Sequence, residues 1–206
     1  MGSRAASAIA PRKRPTQERA QATVEAILRA CAHILGAEGY DAVTTNAVAA
    51  RAGVSIGSLY QYFPSKEAMV AELSDRHCDR MNALFAGVFL NARHLPPDRL
   101  ARELVAAIYR AKREDPALAR ALREQLPKVG RLGRFEQSIA DITDVVAAYF
   151  EEHRALLRVD CPRRAAMYAV EVGEHLTMVS IRKCPDLDPE VAIDEITDVI
   201  VRYVLA

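Results

Sequence analysis

The chain has 206 residues, a formal net charge of +1, 50% hydrophobic and 27% charged residues, and no tryptophan. This length predicts one large domain or two small ones with a buried core, and the hydrophobic fraction excludes a disordered chain. No run of 18 apolar residues occurs, and the apolar stretch at 8–10 is too short for a signal peptide. We therefore expect a cytoplasmic protein without a membrane-spanning segment.

Basic residues are concentrated toward the N-terminus. Residues 1–66 hold eight Lys or Arg and four Asp or Glu, whereas the remaining chain carries a small excess of acid. This asymmetry predicts that the N-terminal end meets a polyanion. Residues 1–15, with Arg12-Lys13-Arg14 between two prolines, predict a basic flexible arm. Two interpretations of the arm stay open: a solvated tail, or a segment that reaches the minor groove or the phosphates of DNA.

Helix caps and breakers divide the chain into nine predicted helices. In chain order they run from Thr16 to the glycines at 36 and 39, over 44–53, over 55–63, from Ser65 to about Ala92, after Pro96-Pro97, over 115–127, over 135–150, from Pro162 to about Arg182, and from Asp188 onward. No convincing alternating apolar pattern predicts a strand. The expected fold class is therefore all-α.

Residues 44–66, TTNAVAARAGVSIGSLYQYFPSK, have the pattern of a helix-turn-helix. Ala49 and Ala52 allow two helices to cross closely, and Gly53 supplies the positive φ that the turn requires. Leu59 and Phe63 form an inward side, which leaves hydroxyl and amide side chains on the outer face. Such groups suit phosphates and base edges in a major groove.

This segment resembles the TetR family of bacterial transcriptional regulators over roughly residues 17–80. The resemblance is carried by Gly39-Tyr40, Thr44-Thr45, Val48-Ala49, Ala52-Gly53-Val54-Ser55, Ser58-Leu59-Tyr60, Tyr62-Phe63 and Ser65-Lys66-Glu67. It implies a helix-turn-helix DNA-binding domain over 16–78 and an effector-binding and dimerisation domain over 79–206. The implied function is a ligand-responsive regulator, most simply a repressor that a small-molecule effector releases from double-stranded operator DNA. No catalytic role and no cofactor are implied.

Candidate DNA contacts follow from the resemblance, position by position. They are Thr45, Asn46, Ser55, Gly57, Ser58, Tyr60, Gln61, Tyr62 and Lys66. Lys66 also lies at the predicted N-terminus of the fourth helix, where the helix dipole and the ammonium both favour a phosphate.

Six further side chains lie on helices that would surround an effector cavity. They are Tyr109, Arg123, Phe135, Tyr149, His175 and Met178. The alternative for each is ordinary core packing or, for the arginine, a solvated or ion-paired position.

The last helix has apolar residues on more than one side, from Ile193 to Leu205. A helix with so broad an apolar face needs partners on two sides. We expect a homodimer through the last two helices, as the resemblance implies; the alternative is a fully buried core helix.

Two other functions are conceivable for the same residues. Gly53-Val54-Ser55-Ile56-Gly57 matches the Gly-x-Ser-x-Gly of a hydrolase, with Asp160 and His175 as conceivable partners, but a helix is predicted where the nucleophile elbow needs a strand. An architectural DNA-binding protein without an effector would lack a sizeable apolar cavity.

Metal and disulfide chemistry gain no support from residue spacing. The four cysteines at 31, 78, 161 and 184 form no Cys-x-x-Cys pair, and the five histidines show no ligand spacing. We expect no metal site. Cys31 lies on the apolar stripe of the first helix and is expected to be buried and inert, whereas a redox role of Cys161 or Cys184 stays open.

Overall fold

The computed structural model describes residues 18–125, 130 and 132–205, so the predicted arm and Thr16 lie outside the described residues. The described part of the chain forms nine α-helices and no β-strand, which confirms the all-α fold. The helices are α1 Glu18–Glu38, α2 Thr45–Ala52, α3 Ile56–Tyr62, α4 Lys66–Ala92, α5 Pro97–Glu114, α6 Pro116–Gln125, α7 Leu132–Glu152, α8 Pro162–Lys183 and α9 Pro189–Val204. Within these ranges, no helix combines the length and apolarity needed to cross a membrane.

The ends of the helices follow from capping chemistry. The Thr44 hydroxyl accepts a hydrogen bond from the Ala47 amide at 3.1 Å and caps α2, and the Ser65 hydroxyl does the same for α4 through the Ala68 amide at 3.3 Å. Asp188 caps α9 by accepting from the Glu190 amide at 2.7 Å. Each side chain satisfies an amide that has no partner inside its helix.

Gly36 does not end the first helix, contrary to the sequence-based expectation. Helix α1 continues to Glu38, and Gly39 adopts the left-handed φ of +85° just after it. A Cβ atom on Gly36 would lie 3.3 Å from the backbone nitrogen of Leu118. Gly36 therefore permits the close approach of α6, a role that local sequence does not reveal.

Two compact units divide the described chain. The first contains the described residues up to His77 and the described part of 117–134, and the second contains 78–116 and the described residues from 135 onward. Residues 117–125 of α6 belong to the first unit because Ala121 and Leu122 pack into the core formed by α1 to α4. The predicted boundaries of 16–78 and 79–206 treat the domains as contiguous, whereas these packing units are not.

The core of the first unit is built on the predicted apolar stripe of α1. Ile27, Cys31 and Leu35 are fully buried there, with Leu59 and Phe63 of the helix-turn-helix segment. These positions confirm the inward side predicted for that segment.

The second unit has its own core, in which α5, α8 and α9 pack together. Arg102 on α5 donates to Asp194 at 2.7 Å and to Glu190 at 2.8 Å, and thereby joins α5 to α9 at the surface. A 3-10 turn at Arg154–Leu156 and an isolated antiparallel bridge between Leu157 and Leu205 complete the unit. The sequence pattern predicted neither of these short features.

Candidate functional site

Helices α2 and α3 form a helix-turn-helix whose turn depends on Gly53. Gly53 has φ +69°, and its amide donates to the Ala50 carbonyl while closing α2. Val54 follows in the turn and packs partly buried against the core. Ser55 then caps α3 by accepting from the Ser58 amide at 3.1 Å. Glycine is required at the turn because side chains with a Cβ atom disfavour this φ.

The predicted DNA contacts form two groups by exposure. Asn46, Ser55, Gly57, Tyr60 and Gln61 are exposed, and Thr45, Ser58, Tyr62 and Lys66 are half-buried. No Asp or Glu occurs between residues 42 and 66. This segment therefore contributes no carboxylate to the surface that would repel a phosphate. The outer face instead offers hydroxyls, two amides and one ammonium.

Hydrogen bonds between side chains arrange these hydroxyls. The Thr45 and Tyr60 hydroxyls lie 3.1 Å apart and link α2 to α3, and the Ser55 and Ser58 hydroxyls lie 2.8 Å apart at the start of α3. Tyr62 differs from Tyr60 because its ring packs against the core. Tyr60, 42% exposed, is the tyrosine that projects outward.

Lys66 is held by Tyr40, a residue to which the sequence pattern assigned no role. The ammonium lies 4.2 Å from the centroid of the Tyr40 ring, and its Nζ donates to the Tyr40 carbonyl at 3.4 Å. The Tyr40 hydroxyl donates to Glu67 at 3.3 Å. Burial and the neighbouring Glu67 carboxylate raise the pKa of Tyr40 to about 12, so the phenol stays protonated. The only sequence signal for Tyr40 was its place among the residues that carry the family resemblance.

The pKa of Glu67 is lowered, although its partial burial acts in the opposite direction. Hydrogen bonds from its own amide, from Ser65 and from Tyr40 outweigh burial, and the Lys66 charge adds to them. A negative carboxylate in the first turn of α4 also interacts favourably with the helix dipole.

The Gly-x-Ser-x-Gly pattern at 53–57 lies in a helix-to-helix turn. Residues 45–52 before it form α2, and the Ser55 hydroxyl acts as a helix cap. A nucleophile elbow requires a strand at that place. The local structure therefore does not support the hydrolase alternative.

The second unit encloses a cavity of about 120 Å³ between α4, α5, α7, α8 and α9. Its described lining is almost entirely apolar: Phe85, Phe89, Pro97, Leu100, Ala101, Leu104, Val105, Ile108, Ile139, Ile142, Val146, Tyr149, Phe150, Ala169, Val170, Gly173, Glu174, Thr177 and Ile200. A lining of this kind is typical of a site for a small apolar ligand. A cavity with this lining also counts against the alternative of an architectural DNA-binding protein without an effector.

The structure does not bring the six predicted pocket residues together. Tyr149 lines the cavity, and its hydroxyl donates to the Leu95 carbonyl at 3.4 Å. Tyr109 is buried beside the cavity lining on α5, with its hydroxyl 3.4 Å from that of Ser180. Phe135 and Met178 are half-buried outside the described lining, and His175 is exposed. Arg123 belongs to the first unit.

The polar part of the lining was not predicted from the sequence. The Glu174 carboxylate pairs with the Lys112 ammonium, and the two side chains are only 12% and 6% exposed. Both residues occupy ordinary charged positions on amphipathic helices, so no pattern singles them out. The remaining lining residues resemble core positions, because a cavity wall and a packed core have the same apolar periodicity.

Cys31 is buried as predicted, and burial raises the pKa of its thiol to about 12. A thiol that stays protonated is a poor nucleophile. Within the described part of the chain, no three His, Cys, Asp or Glu side chains cluster in a way that could hold a metal ion.

A helix-turn-helix unit and a second helical unit that contains an apolar cavity are together the features of a class of helical regulators. Two family models match the chain: bacterial regulatory proteins of the tetR family over residues 27–73, and the tetracyclin repressor-like C-terminal domain over residues 96–203. The chain belongs to the TetR family of bacterial transcriptional regulators. This confirms the resemblance seen in the helix-turn-helix segment.

Known proteins similar to this chain include the HTH-type transcriptional repressor KstR of Mycolicibacterium smegmatis, 38% identical over 96 residues, which are 47% of this chain and 46% of KstR. The chain thus matches less than half the length of that relative. A TetR-family transcriptional regulator from Streptomyces coelicolor has a similar structure, with 26% identity, a TM-score of 0.63, and coverage of 90% of this chain and 97% of that one. The SmeT–triclosan complex shares the fold at 19% identity and a TM-score of 0.68, covering 90% and 93%.

Proposed function

We propose that this protein is a homodimeric transcriptional repressor that a small-molecule effector releases from operator DNA. The observation that carries the proposal is the outer face of α2 and α3, which bears hydroxyls and amides, with Lys66 at the start of α4 and no carboxylate between residues 42 and 66. The similar KstR protein is a transcriptional repressor. The protein acts by binding alone, in the cytoplasm, where its DNA lies.

In this proposal α3 enters the major groove. Gln61 and Asn46 can pair with adenine edges, and the hydroxyls of Thr45, Ser58 and Tyr60 reach phosphates or bases. Lys66 neutralises a phosphate at the N-terminus of α4. Gly57 keeps the backbone of α3 free of side-chain bulk on its exposed face, where a Cβ atom would meet Ser55 Oγ at 3.9 Å.

The test of the DNA surface uses the duplex that the full-length protein selects from a random library. Gln61→Ala is expected to lower affinity for that duplex by about tenfold and to relax its preference at one base position. Glu38→Ala, a change at the end of α1 outside the proposed surface, is the matched control. Unchanged affinity and preference in Gln61→Ala would contradict this assignment.

The cavity of the second unit is the proposed effector site. An effector that binds more tightly to a conformer with a different separation of the two recognition helices lowers DNA affinity. Helix α4 contributes Lys66 to the DNA surface and Phe85 and Phe89 to the cavity, so it is the proposed carrier of the coupling. Linkage requires that operator DNA weaken effector binding by the same factor.

A cavity-filling variant tests the effector site. Ala101 lines the cavity from α5, and Ala101→Phe places a ring in that space. Compounds that lower operator affinity of the wild type are expected to have at least tenfold less effect on this variant, while its DNA affinity without effector stays the same. An effector response that survives in Ala101→Phe would place the effector elsewhere.

The proposed dimer forms through α8 and α9. Exposed apolar side chains lie on these two helices, among them Tyr168, Val172, Val199 and Tyr203, and the rings of Tyr168 and Tyr203 lie 5.8 Å apart. His175 follows Val172 on the outward side of α8, which explains its absence from the cavity lining. A second copy covers this surface in a closed two-fold pair.

Sedimentation velocity on the full chain tests the dimer. Val199→Glu is expected to shift the protein from dimer to monomer, because a carboxylate in a desolvated interface opposes association. Leu90→Glu changes a 70% exposed leucine of α4 outside the last two helices and is expected to remain dimeric. A Val199→Glu protein that stays dimeric would show that another surface forms the dimer.

A further inference from the structure

The cavity has one polar end in an apolar enclosure, and this asymmetry specifies the chemistry of its ligand. The lining residues on α5 run from Pro97 to Ile108, a stretch of about 16 Å at the 1.5 Å rise of an α-helix. Lys112 lies one turn beyond Ile108, so the Lys112–Glu174 pair lies at the Ile108 end of this stretch. Near Pro97, the Tyr149 hydroxyl already bonds the Leu95 carbonyl.

Thr177 supplies a second polar group beside Glu174. The two residues are three positions apart on α8, which places them on the same face of the helix, and both line the cavity. Thr177 is 1% exposed. Three other buried hydroxyls, on Ser74, Thr143 and Thr197, donate to the carbonyl four residues earlier. Among the described residues the Thr177 hydroxyl has no such bond, so a ligand in the cavity can use it as a donor or an acceptor.

Glu174 already has a cationic partner before any ligand enters. Glu174 is the only described lining residue with a formal charge, and Lys112 balances it from α5. A ligand carboxylate would lie against the Glu174 carboxylate, and a ligand ammonium would add an unbalanced positive charge to a desolvated site. A hydroxyl adds no charge, can donate to a Glu174 oxygen, and can exchange a hydrogen bond with the Thr177 hydroxyl.

We infer that the effector is an uncharged, largely apolar molecule that carries a hydroxyl group, with the hydroxyl between Glu174 and Thr177 and the apolar part along α5. This inference rests on the proposed function, because it names the class of ligand for the proposed effector site. The apolar part contributes most of the affinity, and the hydroxyl contributes selectivity.

Four probes with alkyl chains of seven or eight carbons test the assignment: 1-octanol, octanoate, octylammonium and methyl octyl ether. Methyl-labelled isoleucines report binding by NMR on the full-length protein, since Ile108, Ile139, Ile142 and Ile200 all line the cavity. 1-Octanol is expected to shift these methyl signals in a saturable way and to bind at least tenfold more tightly than each of the other three. Tenfold corresponds to about 1.4 kcal/mol, roughly the contribution of one hydrogen bond.

Two variants connect the selectivity to Thr177. Thr177→Val keeps the shape of the side chain and removes the hydroxyl, so it is expected to weaken 1-octanol by about tenfold and to leave methyl octyl ether unchanged. Thr197→Val removes a buried hydroxyl that bonds to Ile193 and does not line the cavity, so 1-octanol should bind it like the wild type.

The inference is overturned if octanoate or octylammonium binds as tightly as 1-octanol, if the ether does, or if no probe shifts the cavity methyls. Its failure is distinct from failure of the proposed function. Probes that bind in the cavity without weakening operator binding would contradict ligand-controlled repression and leave the ligand class standing. An effector of another chemical class that releases the protein from DNA would contradict the inferred ligand class and leave ligand-controlled repression standing.

Discussion

The Lys66 ammonium lies 4.2 Å from the centroid of the Tyr40 ring and also donates to the Tyr40 carbonyl. Two different parts of one residue therefore orient the cation at the N-terminus of α4. A lysine side chain normally loses the freedom of several rotatable bonds when it binds a phosphate. Tyr40 reduces that loss, because Lys66 is already held near one position before DNA arrives.

This arrangement predicts a graded loss of DNA affinity. Lys66→Gln removes one phosphate contact and should lower operator affinity by about tenfold and the salt slope by about one. Tyr40→Leu should weaken binding by a few fold through loss of the ring, whereas Tyr40→Phe keeps the ring and should bind like the wild type. Fluorescence anisotropy at several salt concentrations measures all three. Equal affinities for Tyr40→Leu and the wild type would exclude a positioning role for the ring.

The helix-turn-helix segment shows how far local sequence determines this protein. Gly53, Leu59 and Phe63 have the positions that their spacing predicted, because turn conformation and apolar periodicity are local properties. The close contact at Gly36 was not predicted, because its partner, Leu118, lies far along the chain. Tertiary contacts of this kind leave no trace in a single sequence.

The cavity was harder to predict than the fold. Tyr149 lines it, but Tyr109 is packed in the core on the same kind of helix face, and His175 lies on the outer side of α8. A helix presents the same apolar stripe whether the opposite wall touches it or leaves a gap. Which residues line the cavity therefore depends on packing between helices, and residue type alone does not specify that packing.

Substitutions at two glycines of the helix-turn-helix should have different effects on stability and on DNA binding. Gly53→Ala forces a Cβ atom into φ +69° and should lower the free energy of unfolding by about 1–2 kcal/mol. Gly57→Ala adds a methyl on the exposed side of α3, where it should raise that free energy by about 0.5–1 kcal/mol. Urea unfolding measures both changes.

The same pair is then tested on operator DNA. Gly57→Ala is expected to bind DNA more weakly despite its greater stability, since the backbone of α3 approaches the groove at this position. If Gly57→Ala binds as tightly as the wild type, α3 does not approach DNA through that face.

Alkaline pH should destabilise the fold partly through Cys31. Its pKa is raised from 9.0 to about 12 by burial, so the unfolded chain releases this proton between these values while the folded chain retains it. Stability from this group is therefore complete below pH 9 and declines as pH rises toward 12, by about 1.4 kcal/mol per pH unit. Urea unfolding under reducing conditions should show that the free energy of unfolding of Cys31→Ala declines less steeply above pH 9 than that of the wild type. A decline identical to that of the wild type would show that the thiol is not responsible.

The Lys112–Glu174 pair predicts strong coupling between two substitutions. Lys112→Met or Glu174→Gln alone disturbs a buried charge balance, whereas the double variant removes both charges together. Thermal and urea unfolding of the double-mutant cycle should give an interaction energy of about 1–3 kcal/mol. Additive effects, with no interaction energy, would mean that the two charges do not stabilise each other in the folded protein.

Sequence-specific DNA binding is tested most directly by a titration of the full-length protein, comparing the duplex that it selects from a random library with a scrambled duplex at several salt concentrations. A dimeric repressor should select a two-fold-symmetric site with half-site centres about 34–36 Å apart. It should also prefer that site by at least about a thousandfold over the scrambled duplex. Equal, weak binding to both duplexes that disappears as salt is raised would contradict a sequence-specific regulator.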